Sequence, residues 1–373
     1  MKLPQARPGG PVNILKREVP FSFWPVVPGS GGAYQRRPMI YASDPWLIIR
    51  KAVRSKCPAA SLAEALACLD QSQDFFAAAT TAEIVAARPL ALYYSFMNLS
   101  KALCLMKGIR ATYDQAKHGL SERLDATRIE LLGAYLDAYP SGTSTNNFDD
   151  LKVALTGASL TVSPTVLKLP ELLPQVVPGH RLWVEASNQD ERFVPIDEIT
   201  FMTDGDQAWV NLYFDREDLT RLGLNQTNLI LHAGLNGLFT SVQSGDPDFH
   251  CLQQNAPVAH GKHPGSVLLD IVRPLRPLLW PVVTSTSPYR RYYVYLAPGG
   301  NRASVVHQLL SIYAITFYLG SITRYRPHHY DTITEGAFGA QVQEFVTQQP
   351  LQFLYLMASE FMEQDVSRSS IVV

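Results

Sequence analysis

Charge imbalance is the first thing this sequence lacks. Lys plus Arg is 32 and Asp plus Glu is 33 over 373 residues, a formal net charge of −1. No global basic field draws such a chain onto nucleic acid, so any binding of that kind has to rest on a local patch. The four cysteines, Cys57, Cys68, Cys104 and Cys251, include no CxxC pair, which excludes the usual paired-thiol zinc and redox frameworks. Three of them sit in apolar helical contexts and read as buried free thiols of a reducing compartment. A GxxxxGK[ST] phosphate loop, a GxGxxG turn after a strand, a GxSxG elbow and an HExxH pair are all missing. No fixed period repeats along the chain. The opening "MKLPQARPGGPVN" has no apolar core of signal-peptide length, so nothing marks secretion and the expected location is the cytoplasm. The longest uncharged run, residues 305–323, carries His307, Gln308, two serines and two threonines. That polar content favours a helix buried in a protein core over a membrane span.

What the chain does have is core material: 46% of it is hydrophobic and 17% charged, enough for one large domain or two ordinary ones. Residues 1–40, rich in Pro and Gly, read as an extended arm draped over a body. A helical part spans 41–149. Asp44-Pro45 is an N-cap followed by a proline suited to the first helical position. Ser61 with Glu64, and Thr80 with Glu83, have capping-box spacing. After Pro89 a helix carries Leu92, Phe96, Leu99, Leu103 and Met106 as one core stripe, with Ser95, Asn98 and Lys101 on a different, polar face. Gly108 ends it. The segment "TRIELLGAYLDAY" reads as a further helix.

From 150 to 300 the texture turns to short β-type runs: "HRLWVEAS", "ITFMTD", "AWVNLYF", "LILHAG", "SVLLDIV" and "RRYYVYLAP". "TDGDQ" has the Asp-Gly signal of a tight hairpin. Residues 301–373 return to helix, with a long apolar one over 303–326. The expected fold class is α+β: a bundle made by the N- and C-terminal helices, with a β-rich middle region between them.

The most distinctive chemistry lies in "ITRYRPHHYD". Pro327 should end the long helix near Tyr325 or Arg326. Arg324, Arg326, His328 and His329 then gather at its C-terminus, where the macrodipole favours positive charge. A solvated basic helix end is one complete account of that cluster. The other is a phosphodiester site, with Arg324 holding phosphate in a bidentate fork and His329 or His328 moving the proton. Elsewhere, His250, Cys251, His260 and His263 are zinc-type ligands at irregular spacing, which predicts no metal site. Asp149 and Asp150 are adjacent and suit helix capping. No cofactor is called for.

Two blocks, "ARPLALYYSFMNLSKALCLMKG" with "KHGLSERL" and "FYLGSITRYRPHHYD", resemble the hallmarks of the YaaC-like family. A third, "EFVTQQPLQFLYLMASE", resembles that family's closing helices. The first block is also similar to the core of HEPN domains, helical bundles that include metal-independent ribonucleases with a spaced Arg and His. Arg324 and His329 match that spacing by residue type, although Pro327 and Tyr325 depart from the pattern. The resemblance implies RNA binding or metal-independent RNA cleavage, in a stress or phage-defence setting, by a homodimer or with a partner protein. Arg324, His329 and His328 would be catalytic; Arg326, Lys101 and Asn98 would hold the strand. A non-catalytic scaffold and a nucleotide or small-molecule sensor are the rival expectations, the latter needing a polar pocket near Arg324 or Arg290-Arg291.

Overall fold

The computed structural model describes residues 3–30, 33–81, 85–124, 131–142 and 144–369. The chain forms two units, one from residues 1–43, 192–303 and 363–373, the other from 44–191 and 304–362. Elements are numbered along the chain.

The first unit is built on antiparallel pairing. Its larger sheet runs β1 (Gly10–Pro11), β11 (Glu198–Asp204), β12 (Gln207–Asp215), β14 (Phe249–Gln254), β13 (Phe239–Val242), with β15 (Val258–Ala259) also on β12. The β11–β12 hairpin closes at Asp204 opposite Gln207, with Gly205 at φ +59°, as "TDGDQ" predicts. A second sheet orders β10 (Phe193–Ile196), β17 (Arg290–Tyr295) and β16 (Leu279–Val283). The arm is more than a drape. It adds β1 to the large sheet and forms the hairpins β2 (Asn13–Ile14) with β3 (Arg17–Glu18) and β4 (Val26–Pro28) with β5 (Tyr34–Arg36). Its Val12 and Val19 join Phe201, Val210 and Leu252 in one core. Its last strand, β6 (Ile40–Ala42), pairs in parallel with β18 (Val366–Arg368). Three helices complete the unit: α7 (Arg216–Arg221), α8 (Gln226–His232) and α9 (Leu268–Val272).

The second unit is mainly helical. It contains α1 (Pro45–Lys56), α2 (Leu62–Thr81), α3 (Arg88–Met106), α4 (Asn147–Thr156), α5 (Leu169–Leu172) and α6 (His180–Ser187). α10 (Gln308–Tyr325), α11 (Pro327–Glu335) and α12 (Gly339–Met362) follow, and β7 (Leu120–Leu124), β8 (Ala134–Ala138) and β9 (Thr165–Lys168) form a sheet in that order. Asp44 caps α1 by accepting from the Trp46 N–H at 2.9 Å. Ser61 and Glu64 do not form a capping box. The Ser61 hydroxyl donates to Ala111 O, and Glu64 accepts from the Tyr113 N–H at 2.7 Å, so both tie α2 to a distant loop. Glu83 lies outside the described residues.

The α3 stripe is buried as expected, with Phe96 stacked on Phe353 of α12 at 3.9 Å between ring centroids. Its polar face is not solvated. Ser95 and Ser72 of α2 each donate a hydroxyl to the other's carbonyl, at 2.8 and 2.7 Å, which lets the two helices sit close. α10 is buried from Gln308 to Ile322. Among the described residues no helix is long and apolar enough to cross a membrane.

These elements overturn the expected fold class. Among the described residues there are 12 helices and 18 strands, 46% helix and 22% strand, in several sheets, so the chain is mixed α/β rather than a bundle with a β-rich middle. Strands appear in the arm, in the supposedly helical 41–149 and after residue 362, while 150–300 contains α5 to α9. Three expected strands are helices for a common reason. "HRLWVEAS", "LILHAG" and "SVLLDIV" are short apolar runs whose period is ambiguous, so a cap or the burial of one face decides them. Asn225 caps α8 by accepting from the Asn228 N–H, and Leu268, Ile271 and Val272 bury one helical face of α9. The described part of "TRIELLGAYLDAY" is a 3-10 turn and β8, because pairing with β7 on one side and β9 on the other outweighs helix propensity. Residues 127–130 lie outside the described residues.

In the first unit, His250 of β14 is buried and lies 3.3 Å from the Ser241 hydroxyl of β13. Burial, helped by the Arg216 charge, pushes its pKa down to about 4. The folded state therefore refuses a proton that the unfolded chain accepts near pH 6.5. Stability from this site is complete above pH 6.5 and is lost as pH falls toward 4, on the order of 3 kcal/mol in all. Denaturant unfolding at pH 7 and pH 4.5 should reveal that drop in the parent and a smaller one in His250→Gln; equal drops in both would refute it.

Candidate functional site

Pro327 separates the predicted basic residues into two groups. α10 ends at Tyr325, and Arg326 serves both as its C-cap, with its N–H on Ile322 O at 2.8 Å, and as the N-cap of α11. His328 and His329 thus occupy the first turn of a new helix, not the tail of the old one. At that end the macrodipole opposes positive charge instead of favouring it. Their rings meet edge-on at 4.3 Å, and the His329 pKa is lowered by burial, His328 and Arg326. Arg324 turns elsewhere. Its Nη1 donates to the Tyr94 hydroxyl on α3 at 3.0 Å, and the guanidinium lies 4.9 Å from the Tyr325 ring centre.

The imidazole within reach of the Arg324 charge is His118, a residue sequence reasoning quoted in "HGL" without giving it a role. The charges of Lys101 and Arg324 add to partial burial in lowering its pKa. Nδ1 of His118 is hydrogen-bonded to the Tyr93 hydroxyl. The Tyr93 hydroxyl is coupled in turn to that of Tyr313, which accepts from Asn147 Nδ2 at 2.8 Å. This buried relay fixes the ring and leaves Nε2 as the nitrogen open to a ligand. Tyr94 stacks on Phe75 of α2 at 5.3 Å, giving the cluster an aromatic wall. Neither Arg324 nor Lys101 has a carboxylate partner among the described residues. Asn98 is placed differently: it is 4% exposed and its amide faces Gln71 at 3.4 Å.

The backbone around His118 is held from several directions. Gly119 has φ +79°, and a Cβ there would lie 2.9 Å from Asn146 Cβ, so the position needs glycine twice over. The His118 carbonyl accepts from the Phe148 N–H at the start of α4. Asp149 and Asp150 are buried staples rather than caps. Asp150 takes the Arg110 fork at 3.0 Å on both arms together with the Tyr113 and Ser141 hydroxyls, and Asp149 accepts from the Ser141 and Leu160 amides. An open cleft of about 760 Å³ borders His118, with Lys117, Tyr139, Ser144 and Asn146 among its walls.

The other sequence candidates do not converge. Among the described residues no set of three or more His, Cys, Asp or Glu is arranged to hold a metal. His260 bonds Thr203 and Gly261, away from the interior position of His250. Arg290 is also accounted for in the first unit: its guanidinium is buried 3.4 Å from Asp365 and donates to Val366 O at 3.0 Å.

The three segments that meet here are α3, the His-Gly-Leu turn and the end of α10. The family model described as YaaC-like Protein matches residues 37–361 and so spans all three. The chain belongs to the YaaC-like family. No curated protein matches it, and no solved structure does. These comparisons lend the HEPN-like core no support.

Close packing aims Arg324. A Cβ on Gly320, one turn earlier on α10, would lie 3.1 Å from Pro89 O and 3.2 Å from Tyr93 Cβ on α3. Gly320→Val should lower the unfolding free energy by about 1–3 kcal/mol; calorimetry showing no loss of stability would contradict the close approach. The electrostatic link has its own check. Arg324→Gln should raise the His118 pKa in an NMR titration, because a charge that lowers it is removed, whereas Arg326→Gln should leave it in place.

Proposed function

We propose that this protein binds RNA at the Lys101–His118–Arg324 cluster and cleaves it without a metal ion. Arg324 and Lys101 take a backbone phosphate, and the Tyr94–Phe75 wall takes an adjacent base by stacking. His118 Nε2 removes the proton from a ribose 2′-hydroxyl. The oxygen then attacks the adjacent phosphorus, the bond to the 5′ oxygen breaks, and that oxygen leaves with a proton from a water, whose hydroxide takes the proton back from His118. The products are a 2′,3′-cyclic phosphate and a 5′-hydroxyl, with no other reactant required. A depressed pKa keeps His118 neutral near pH 7, as a general base must be.

The observation carrying this reading is that two cations with no carboxylate partner among the described residues bear on one imidazole, which is itself anchored through its other nitrogen. A near-neutral chain fits such a local patch better than a broad electrostatic footprint. A second reading, a free nucleotide held in the cleft of about 760 Å³ beside His118, is favoured by the size of that space and by Lys117, Ser144 and Asn146 in its walls.

The deciding assay incubates the full chain with a fluorescent oligoribonucleotide in EDTA. Cleavage should rise with pH to a plateau, with a midpoint below 6.5. His118→Ala should lose about 10²-fold or more in kcat, and Arg324→Ala should lose both affinity and rate. An uncut oligonucleotide, with nucleotide binding that His118→Ala weakens, would replace the first reading with the second. Cleavage unchanged by either substitution would eliminate this site.

A further inference from the structure

A cleft of about 870 Å³ opens within the first unit, between α7 and α8 on one side and β13 and β14 on the other. That volume suits a small organic molecule. The arm supplies a further wall. The Gln243 N–H donates to Pro4 O and the Gln243 side-chain amide to Leu3 O, both at 2.8 Å, which pins Leu3 and Pro4 beside the end of β13.

The floor of the cleft is polar although it is buried. His250 and Ser241 are 2% and 8% exposed, and the ring Nε2 lies 3.3 Å from the serine hydroxyl. Ser241 is paired with Leu252, two residues from His250, so the two side chains stand on one face of the sheet. Whichever nitrogen carries the ring proton, the pair keeps one donor for a ligand. If the hydroxyl donates to Nε2, the Nδ1–H is left; if Nε2–H donates to the hydroxyl oxygen, the hydroxyl hydrogen is left.

One cation stands at this floor. Arg216 is exposed at the start of α7 and also lines the cleft. Its backbone N–H donates to Asp248 O at 3.0 Å and its Nε to Phe249 O at 3.3 Å, which holds the guanidinium next to the residue preceding His250. Its Nη groups have no partner among the described residues. The acids beside it on α7 are engaged elsewhere: Asp215 accepts from the Glu217 N–H at 2.6 Å, and Asp218 pairs with Arg221 at 3.0 Å. Leu219, Leu224 and Ile230 make the remaining sides apolar. Burial and the Arg216 charge keep His250 neutral at pH 7, so the site carries a single positive charge. A monoanion balances that charge, whereas a dianion would exceed it close to several carboxylates. The planar guanidinium fork matches the two oxygens of a carboxylate.

We propose that this cleft binds a small organic carboxylate, whose oxygens take the Arg216 Nη groups and the donor of the Ser241–His250 pair, and whose apolar body lies against Leu219, Leu224 and Ile230. The site belongs to the first unit and depends on nothing proposed for His118 or Arg324.

The test is calorimetric titration of the full chain at pH 7 with octanoate and 3-phenylpropionate, beside 1-octanol, 3-phenylpropanol and octyl phosphate. At least one of the acids should bind, and its alcohol should bind about tenfold or more weakly. Arg216→Gln should weaken the acid about tenfold or more with an unchanged melting temperature, since the side chain is exposed and supports no core. Ser241→Ala should weaken it several-fold. His118→Ala and Arg324→Gln should leave it unchanged, and Arg216→Gln should leave any RNA cleavage unchanged, so the two proposals fail separately. Binding of neither acid overturns the proposal, as does equal binding of acid and alcohol that Arg216→Gln retains. Tighter binding of octyl phosphate than of octanoate overturns the choice of a carboxylate.

Discussion

The contact between α10 and α3 at Gly320 is the constraint on which the site depends. A Cβ there would lie 3.1 Å from the Pro89 carbonyl and 3.2 Å from the Tyr93 Cβ, so any side chain would press the two helices apart. The consequence is felt one turn later on α10. With the axes that near, Arg324 reaches the Tyr94 hydroxyl, and Phe317 packs edge-on to Tyr93 at 5.1 Å. The same contact brings Tyr313 alongside Tyr93, completing the line of hydroxyls that anchors His118. One missing methyl group therefore aligns a cation, an aromatic wall and an imidazole.

The acids of this unit explain why the cations remain available. Asp149 and Asp150 are buried and already occupied by backbone amides, hydroxyls and the Arg110 fork. Asp137 is buried on β8 and takes Arg123. With these carboxylates held in structural staples, Arg324 and Lys101 have no carboxylate partner among the described residues, and their charges act on His118. A net charge of −1 over the whole chain thus coexists with a strongly cationic spot, which composition alone cannot reveal.

Legibility in the sequence followed the strength of local signals. The start of α1, the α3 stripe and its glycine stop, the β11–β12 hairpin and the end of α10 at Pro327 were all readable, because proline, glycine and caps act within a few residues. The short apolar runs around Trp183, Leu229 and Ile271 were misread as strands because six to eight residues do not define a period. The helix expected over 127–139 holds a central strand at 134–138 instead, paired on both sides by other segments of the chain. The fold class failed with them. At the candidate site, Arg324 was legible in the basic end of the long helix and Lys101 on the polar face of α3, but His118 was not, since its significance comes from Tyr93, which is 25 residues away, and from α10.

Pro327 gives the basic segment a meaning that a single helix could not. Were α10 to continue, Arg324 and His329 would lie on successive turns of one rod with one dipole. The break reverses the dipole between them: Arg324 sits at a carbonyl end that stabilises its charge, while His328 and His329 sit at an amide end that destabilises theirs. Burial, His328 and Arg326 lower the His329 pKa in the same direction. A cation directed at α3 and two imidazoles opening a new helix just beyond it are what a proline at this position produces.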